Sequence, residues 1–132
     1  MTLANDAVPA RLGRILAFAA VVEGVTGLAS LLVPALVIRG LFGVEVEGAS
    51  LALGRVCGIA LIALGWACWP GGRGLQGTMK ASRAMLIYNA LIALYLAWVG
   101  LAHPPAGFLL WPAVVLHAVV AALLLHAART DT

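Results

Sequence analysis

The sequence predicts an all-α integral membrane protein, a bundle of four transmembrane helices with the N-terminus and C-terminus both cytoplasmic. Of 132 residues, 64% are hydrophobic and only 10% are charged. That leaves too few polar side chains to coat a soluble globule of this size. The mean hydropathy is +1.08, and the long apolar runs are broken by Pro, Gly and charge. A bilayer core of about 30 Å is crossed by about 20 helical residues, so the chain holds four spans and their connections in one domain.

The first span reads from Leu12 to Val33. It follows Arg11, contains Arg14, exceeds the roughly 7 to 15 apolar residues of a signal peptide and lacks a clear cleavage site. Pro34 removes a backbone donor and ends or kinks the helix. Residues 35–50, with Arg39, Gly40, Gly43, Glu45 and Glu47, form the next connection, and Ala35 to Phe42 is expected as a short interfacial helix. The second span, Leu51 to Trp69, stops at Pro70-Gly71-Gly72, and the polar stretch to Ser82 reads as a central loop. The third span covers 83–101 and is stopped by His103-Pro104-Pro105. The fourth covers 108–128, with Pro112 in its opening turns, where a missing N–H costs least.

Arg11, Arg14, Arg73, Lys80, Arg83 and Arg129 lie on the side of the termini and the central loop, against Arg39 and a snorkelling Arg55 on the other. This asymmetry puts both termini inside. Trp69 at the inner boundary and Phe42, Trp98, Phe108 and Trp111 near the outer one agree with it. The pI of about 9.4 comes from basic residues spread along the chain without a patch of aromatic platforms, which points away from nucleic acid. Cys57 and Cys68 lie in one span, about 16 Å apart and beyond disulfide reach, so they read as packed thiols.

Membrane helices pack through small residues and shared polar groups. On the first span Ala19, Ala20, Glu23, Thr26, Gly27 and Ser30 share a face, with Val21, Val25, Leu28 and Leu32 opposite. On the second, Gly54, Cys57, Gly58, Leu61, Gly65 and Cys68 form a stripe containing GxxxG, which serves either the bundle or a dimer seam. Ser82, Asn89, Ala93 and Gly100 align on the third span, and Ala113, His117, Ala121 and Ala128 on the fourth.

Glu23 and Asn89 then lie about 16 and 9 Å from the inner side, and His117 about 13 Å from the outer one. An ionisable group near the midplane costs at least about 2.5 kcal/mol and is by default a functional candidate. His117 is the partner named for Glu23, with Asn89 bridging as donor and acceptor. Such a set can share or relay a proton, which suits proton-coupled transport, acid–base isomerisation or recognition of a polar head on an apolar ligand. The alternative is that the three merely join helices, at an average of about 0.6 kcal/mol per membrane hydrogen bond. Arg55, a fourth candidate for the ligand or proton site, either snorkels outward or pairs with Glu23 or a lipid phosphate.

Glu45 and Glu47 lack the further oxygen ligands of a cation site. His117 and His126 fall on opposite faces of one helix and His103 lies in a loop, so no haem or metal site is read. No P-loop, GxGxxG, HExxH or Ser-His-Asp set is present, and no cofactor is expected.

In Arg14-Ile15-Leu16, Glu23-Gly24-Val25-Thr26-Gly27, Pro34, Leu41-Phe42-Gly43 and Leu53-Gly54-Arg55-Val56-Cys57-Gly58-Ile59-Ala60-Leu61 the chain resembles the DoxX-like small four-helix membrane proteins. The resemblance spans residues 12–69 and implies a bacterial membrane protein of a kind often regarded as an accessory subunit of redox or sulfur-metabolism systems. It carries over no catalytic residues. Glu23 and Arg55 lie inside the similar region, Asn89 and His117 outside it, and no CxxC is present to imply thiol redox chemistry.

Three functions follow as expectations. The first is a non-enzymatic accessory protein of the bacterial inner membrane, binding a partner complex or lipid. The second is a small proton-linked transporter, oligomeric because four helices enclose little volume. The third is a membrane enzyme acting on a lipid, terpenoid or quinone, with Glu23 and His117 as acid and base.

Overall fold

The structure, a computed structural model, describes residues 10–71, 74–104 and 106–130. Among these it contains five helices and no strand: α1 (Ala10–Leu32), α2 (Pro34–Phe42), α3 (Ala49–Cys68), α4 (Gly74–Ala102) and α5 (Leu110–Thr130). Helices α1, α3, α4 and α5 are long and apolar enough to cross a membrane. The four expected spans are therefore found, with the short helix after the first of them.

Local chemistry sets the boundaries. The chain leaves helical geometry at Val33 (φ −132°, ψ 54°) and restarts with Pro34 at the head of α2, where its missing N–H is not needed. Gly43 closes α2 in the left-handed region at φ 71°, and its N–H donates to the Arg39 carbonyl at 2.9 Å. Helix α3 stops at Trp69, which Pro70 holds in an extended conformation (φ −60°, ψ 126°).

Helix α4 departs from expectation. It begins at Gly74 rather than near Arg83, so the central loop shrinks to a few residues. Residues 75–82 contain no Pro and are rich in helix formers such as Leu75, Met79, Lys80 and Ala81. The Thr78 hydroxyl donates back to the Gly74 carbonyl at 3.0 Å, inside the first turn. With 29 residues, α4 is about 43 Å long and its first turns extend beyond a bilayer core of about 30 Å.

Helix α1 touches every other helix. Its closest neighbour is α3, because glycines let the two backbones meet. A Cβ at Gly58 would lie 2.6 Å from the Gly27 carbonyl oxygen, and one at Gly65 would lie 2.7 Å from that of Ala20. Gly54 packs against Pro34 and Ile38 of α2. The glycine stripe of α3 is thus used within the bundle. Helix α4 runs along α5, and α1 closes against both.

A core of Leu16, Ala19, Ala20, Cys68, Ala81, Met85, Val120, Leu124 and Ala127 fills the half of the bundle nearer the termini. The Cys68 thiol donates to the Ala81 carbonyl at 3.7 Å, which joins α3 to α4 there. Val21, Val25, Leu28 and Leu32 are exposed on the outer face of α1, as their spacing requires. Two inward assignments are corrected. On α5 the buried stripe is Leu110, His117, Val120, Leu124 and Ala127 rather than the small residues, because Ala19 and Ala20 of α1 already supply room for bulky partners. Cys57 is exposed, since only the Gly58 face of that turn meets α1.

At the opposite end, the Gly107 N–H donates to the Leu41 carbonyl at 3.0 Å and the Leu109 N–H to that of Gly40 at 2.8 Å. These bonds tie α2 to the α4–α5 connection.

The seam makes a specific demand. Gly58→Ala is expected to lower the thermal unfolding midpoint in detergent by the equivalent of about 1–3 kcal/mol, the usual cost of overpacking. Gly13→Ala, whose new methyl meets nothing within 4 Å, is expected to leave the midpoint unchanged or raised. Equal losses for the two would contradict backbone contact along α1 and α3.

Candidate functional site

Glu23, Asn89 and His117 converge where α1, α4 and α5 meet, next to the apolar core. Each is placed by helical spacing. Glu23 lies one turn from Ala19 and from Gly27 on the buried stripe of α1, Asn89 one turn beyond Met85 on α4, and His117 three residues before Val120 on α5. Glu23 and Asn89 are each 1% exposed and His117 8%.

The hydrogen bonds fix each group's role. The Asn89 amide Nδ2 donates to the Met85 carbonyl at 2.9 Å, which turns Oδ1 toward α5, where it lies 2.7 Å from His117 Nδ1. Because Oδ1 only accepts, the proton of this bond resides on Nδ1, and the pair selects that tautomer of the imidazole. The opposite amide orientation would set the Asn89 oxygen against the Met85 carbonyl oxygen. Glu23 Oε1 stands 3.8 Å from the same Nδ1, outside hydrogen-bonding distance. Both carboxyl oxygens of Glu23 are consequently buried without a hydrogen-bond partner, a condition that costs about 1–3 kcal/mol per group.

The expected bridge is therefore corrected. Asn89 does not link His117 to Glu23: one amide N–H donates to the carbonyl one turn back on its own helix, Oδ1 accepts from His117, and neither Glu23 oxygen has a hydrogen-bond partner. The Asn89 and His117 side chains meet directly. The basic side chain brought to Glu23 is His117. Arg55 sits exposed on α3 and stays outside the cluster.

Tyr88 completes the cluster. Its ring meets the His117 imidazole edge-on, with centroids 5.9 Å apart and planes at 80°. Its hydroxyl lies within electrostatic reach of the Glu23 carboxyl. Sequence reasoning passes over it because it stands about 100° round the helix from the Asn89 stripe. A usable signal exists all the same: Ala81, Met85 and Tyr88 follow each other at four- and three-residue spacing, and the first two are core.

Among the described residues, no group of three or more His, Cys, Asp or Glu is placed to hold a metal ion. What the cluster offers is acceptor capacity on Glu23 in an apolar setting, beside a histidine whose Nδ1 proton is already committed. Comparison with protein-family models, curated proteins and solved structures finds no match.

Removing the orphaned acceptors should stabilise the fold. Glu23→Met is expected to raise the thermal unfolding midpoint in detergent, by the equivalent of about 1–3 kcal/mol, and Asn89→Leu to lower it by a similar amount, because His117 Nδ1 then loses its acceptor. A lower midpoint for Glu23→Met would show that the carboxyl is satisfied in the folded bundle.

Proposed function

We propose that this chain is a non-enzymatic membrane accessory protein that holds an amphiphile from the bilayer, whose hydrogen-bond-donating head sits against Glu23 beside the Asn89–His117 pair. The supporting observation is the buried carboxyl with no partner on either oxygen. A fold that carries an unsatisfied acceptor pair at its centre gains free energy from any ligand that supplies the donor. The four helices around it are apolar, which suits a ligand whose remaining body is hydrocarbon. The resemblance of residues 12–69 to DoxX-like proteins supports an accessory role in a bacterial inner membrane. The Lys and Arg distribution supports cytoplasmic termini.

A second reading, a small proton-linked transporter, draws on one distance. His117 Nδ1 is shared between a bonded Asn89 oxygen at 2.7 Å and a Glu23 oxygen at 3.8 Å. A modest turn of the imidazole moves its proton from one acceptor to the other. Under this reading Glu23→Gln abolishes pH-driven flux in proteoliposomes; under the first there is no such flux to abolish.

Thermal unfolding in detergent tests the binding reading with three probes of equal chain length: an alkanol, an alkylamine and an alkyl methyl ether. At tenfold excess over Kd a bound donor is expected to add about 1.4 kcal/mol, seen as a shift of several degrees. The ether is expected to give no shift, and Glu23→Met to give none with any probe. Equal shifts for ether and alkanol, or shifts retained in Glu23→Met, would remove Glu23 from the site.

A further inference from the structure

Glu23 is closed off on most sides. Toward the termini, Leu16, Met85 and Leu124 have no exposed surface. Backbone contact at Gly27, Gly58 and Gly65 shuts the α1–α3 seam. Ala19 and Ala20 pack with Val120 and Leu124 between α1 and α5, and the Asn89–His117 bond spans α4 and α5. At the other end, α2 is tied to the α4–α5 connection through Gly40 and Leu41.

The α3–α4 seam is different. The two helices are joined near Cys68 and Ala81, and among the described residues α3 does not reach α5. Beside this seam stands Tyr88, half-buried, with its ring edge on His117. Its hydroxyl is within electrostatic reach of two groups, the Glu23 carboxyl and the Cys57 thiol. Cys57 is itself exposed on the surface of α3. Tyr88, two turns beyond the Ala81 that meets Cys68 of α3, thus stands on the α4 face turned toward α3 and beside the histidine that approaches the orphaned carboxyl.

We propose that the α3–α4 seam is a lateral portal to Glu23, covered by Tyr88, and that its ligand is a hydroxyl-headed amphiphile whose head displaces the Tyr88 hydroxyl from beside the carboxyl. This inference rests on the binding reading above. The Tyr88 hydroxyl interacts with the Glu23 carboxyl but does not meet hydrogen-bond geometry on either oxygen, and its ring edge lies on His117. A free alkanol has no such constraint and closes that bond. A neutral hydroxyl also reaches the midplane without the penalty of about 2.5 kcal/mol or more that a charged head meets there. Tyr88 acts as a positioning residue: it decides which donors replace it and from which side.

The test uses the full chain in detergent with a diazirine-bearing long-chain alkanol, its amine and its methyl ether, together with the Tyr88→Phe variant. Photolabelling by the alkanol is expected on α3 around Cys57 and Leu61 and on α4 around Tyr88. Tyr88→Phe keeps the ring and removes the competing hydroxyl. It is expected to unfold at the wild-type midpoint without ligand and to bind the alkanol about fivefold more tightly. Labels confined to α5 or to the α1 face opposite α3, or equal or weaker alkanol binding by Tyr88→Phe, would overturn the portal while leaving the binding reading standing. Preference for the amine would overturn the head-group assignment. Failure of every donor probe to bind the wild type would overturn the portal and the binding reading together.

Discussion

Among the described residues, helix α1 is the only element that touches all the others, and everything else in the bundle is arranged around that fact. Lipid gives apolar side chains no reason to leave it, so helices in a membrane associate where small residues let their surfaces come close. On α1 these are Ala19, Ala20, Gly27 and Ser30, all buried. The backbone of α3 rests on Gly27 and Ala20, and the bulky Val120 and Leu124 of α5 pack in the same core as Ala19 and Ala20. Glu23 interrupts this stripe at its middle. A carboxyl on the contact face of the central helix is shut away from solvent, so the packing of the bundle and the burial of Glu23 are one constraint.

The hydrogen bonds do not answer that constraint. The Asn89–His117 pair makes one bond across the helices and one back along α4. Neither member has a donor aimed at Glu23 within hydrogen-bonding distance. Had the cluster served only to join helices, the economical arrangement would satisfy Glu23 first, since an unmet buried acceptor costs more than a membrane hydrogen bond of about 0.6 kcal/mol returns. The three-residue polar group is thus half helix glue and half open valence. Tyr88 stands beside the open half, with its ring edge on His117.

Much of this was legible in the sequence. Hydropathy and the Pro and Gly punctuation located the four spans and the short helix after Pro34, and three- and four-residue spacing turned Glu23, Asn89 and His117 inward. What escaped depended on tertiary context. The start of α4 was hidden because its first two turns are polar on a helix that outlasts the bilayer, and composition reads polarity as loop. The partners Asn89 takes, Met85 of its own helix and His117 of another, depend on side-chain rotamers that no spacing rule decides. Tyr88 was missed because a long side chain reaches a site from beside its stripe. Arg55 drew attention by charge alone, and its helix turns it away.

If Glu23 is an open acceptor for a ligand, the folded protein should carry that ligand out of the membrane. The most direct test is to purify wild type and Glu23→Met in mild detergent, extract each with organic solvent and weigh the released amphiphiles by mass spectrometry. One hydroxyl-headed species is expected near equimolar with wild-type protein and lost from Glu23→Met. Identical profiles for the two proteins would contradict this expectation.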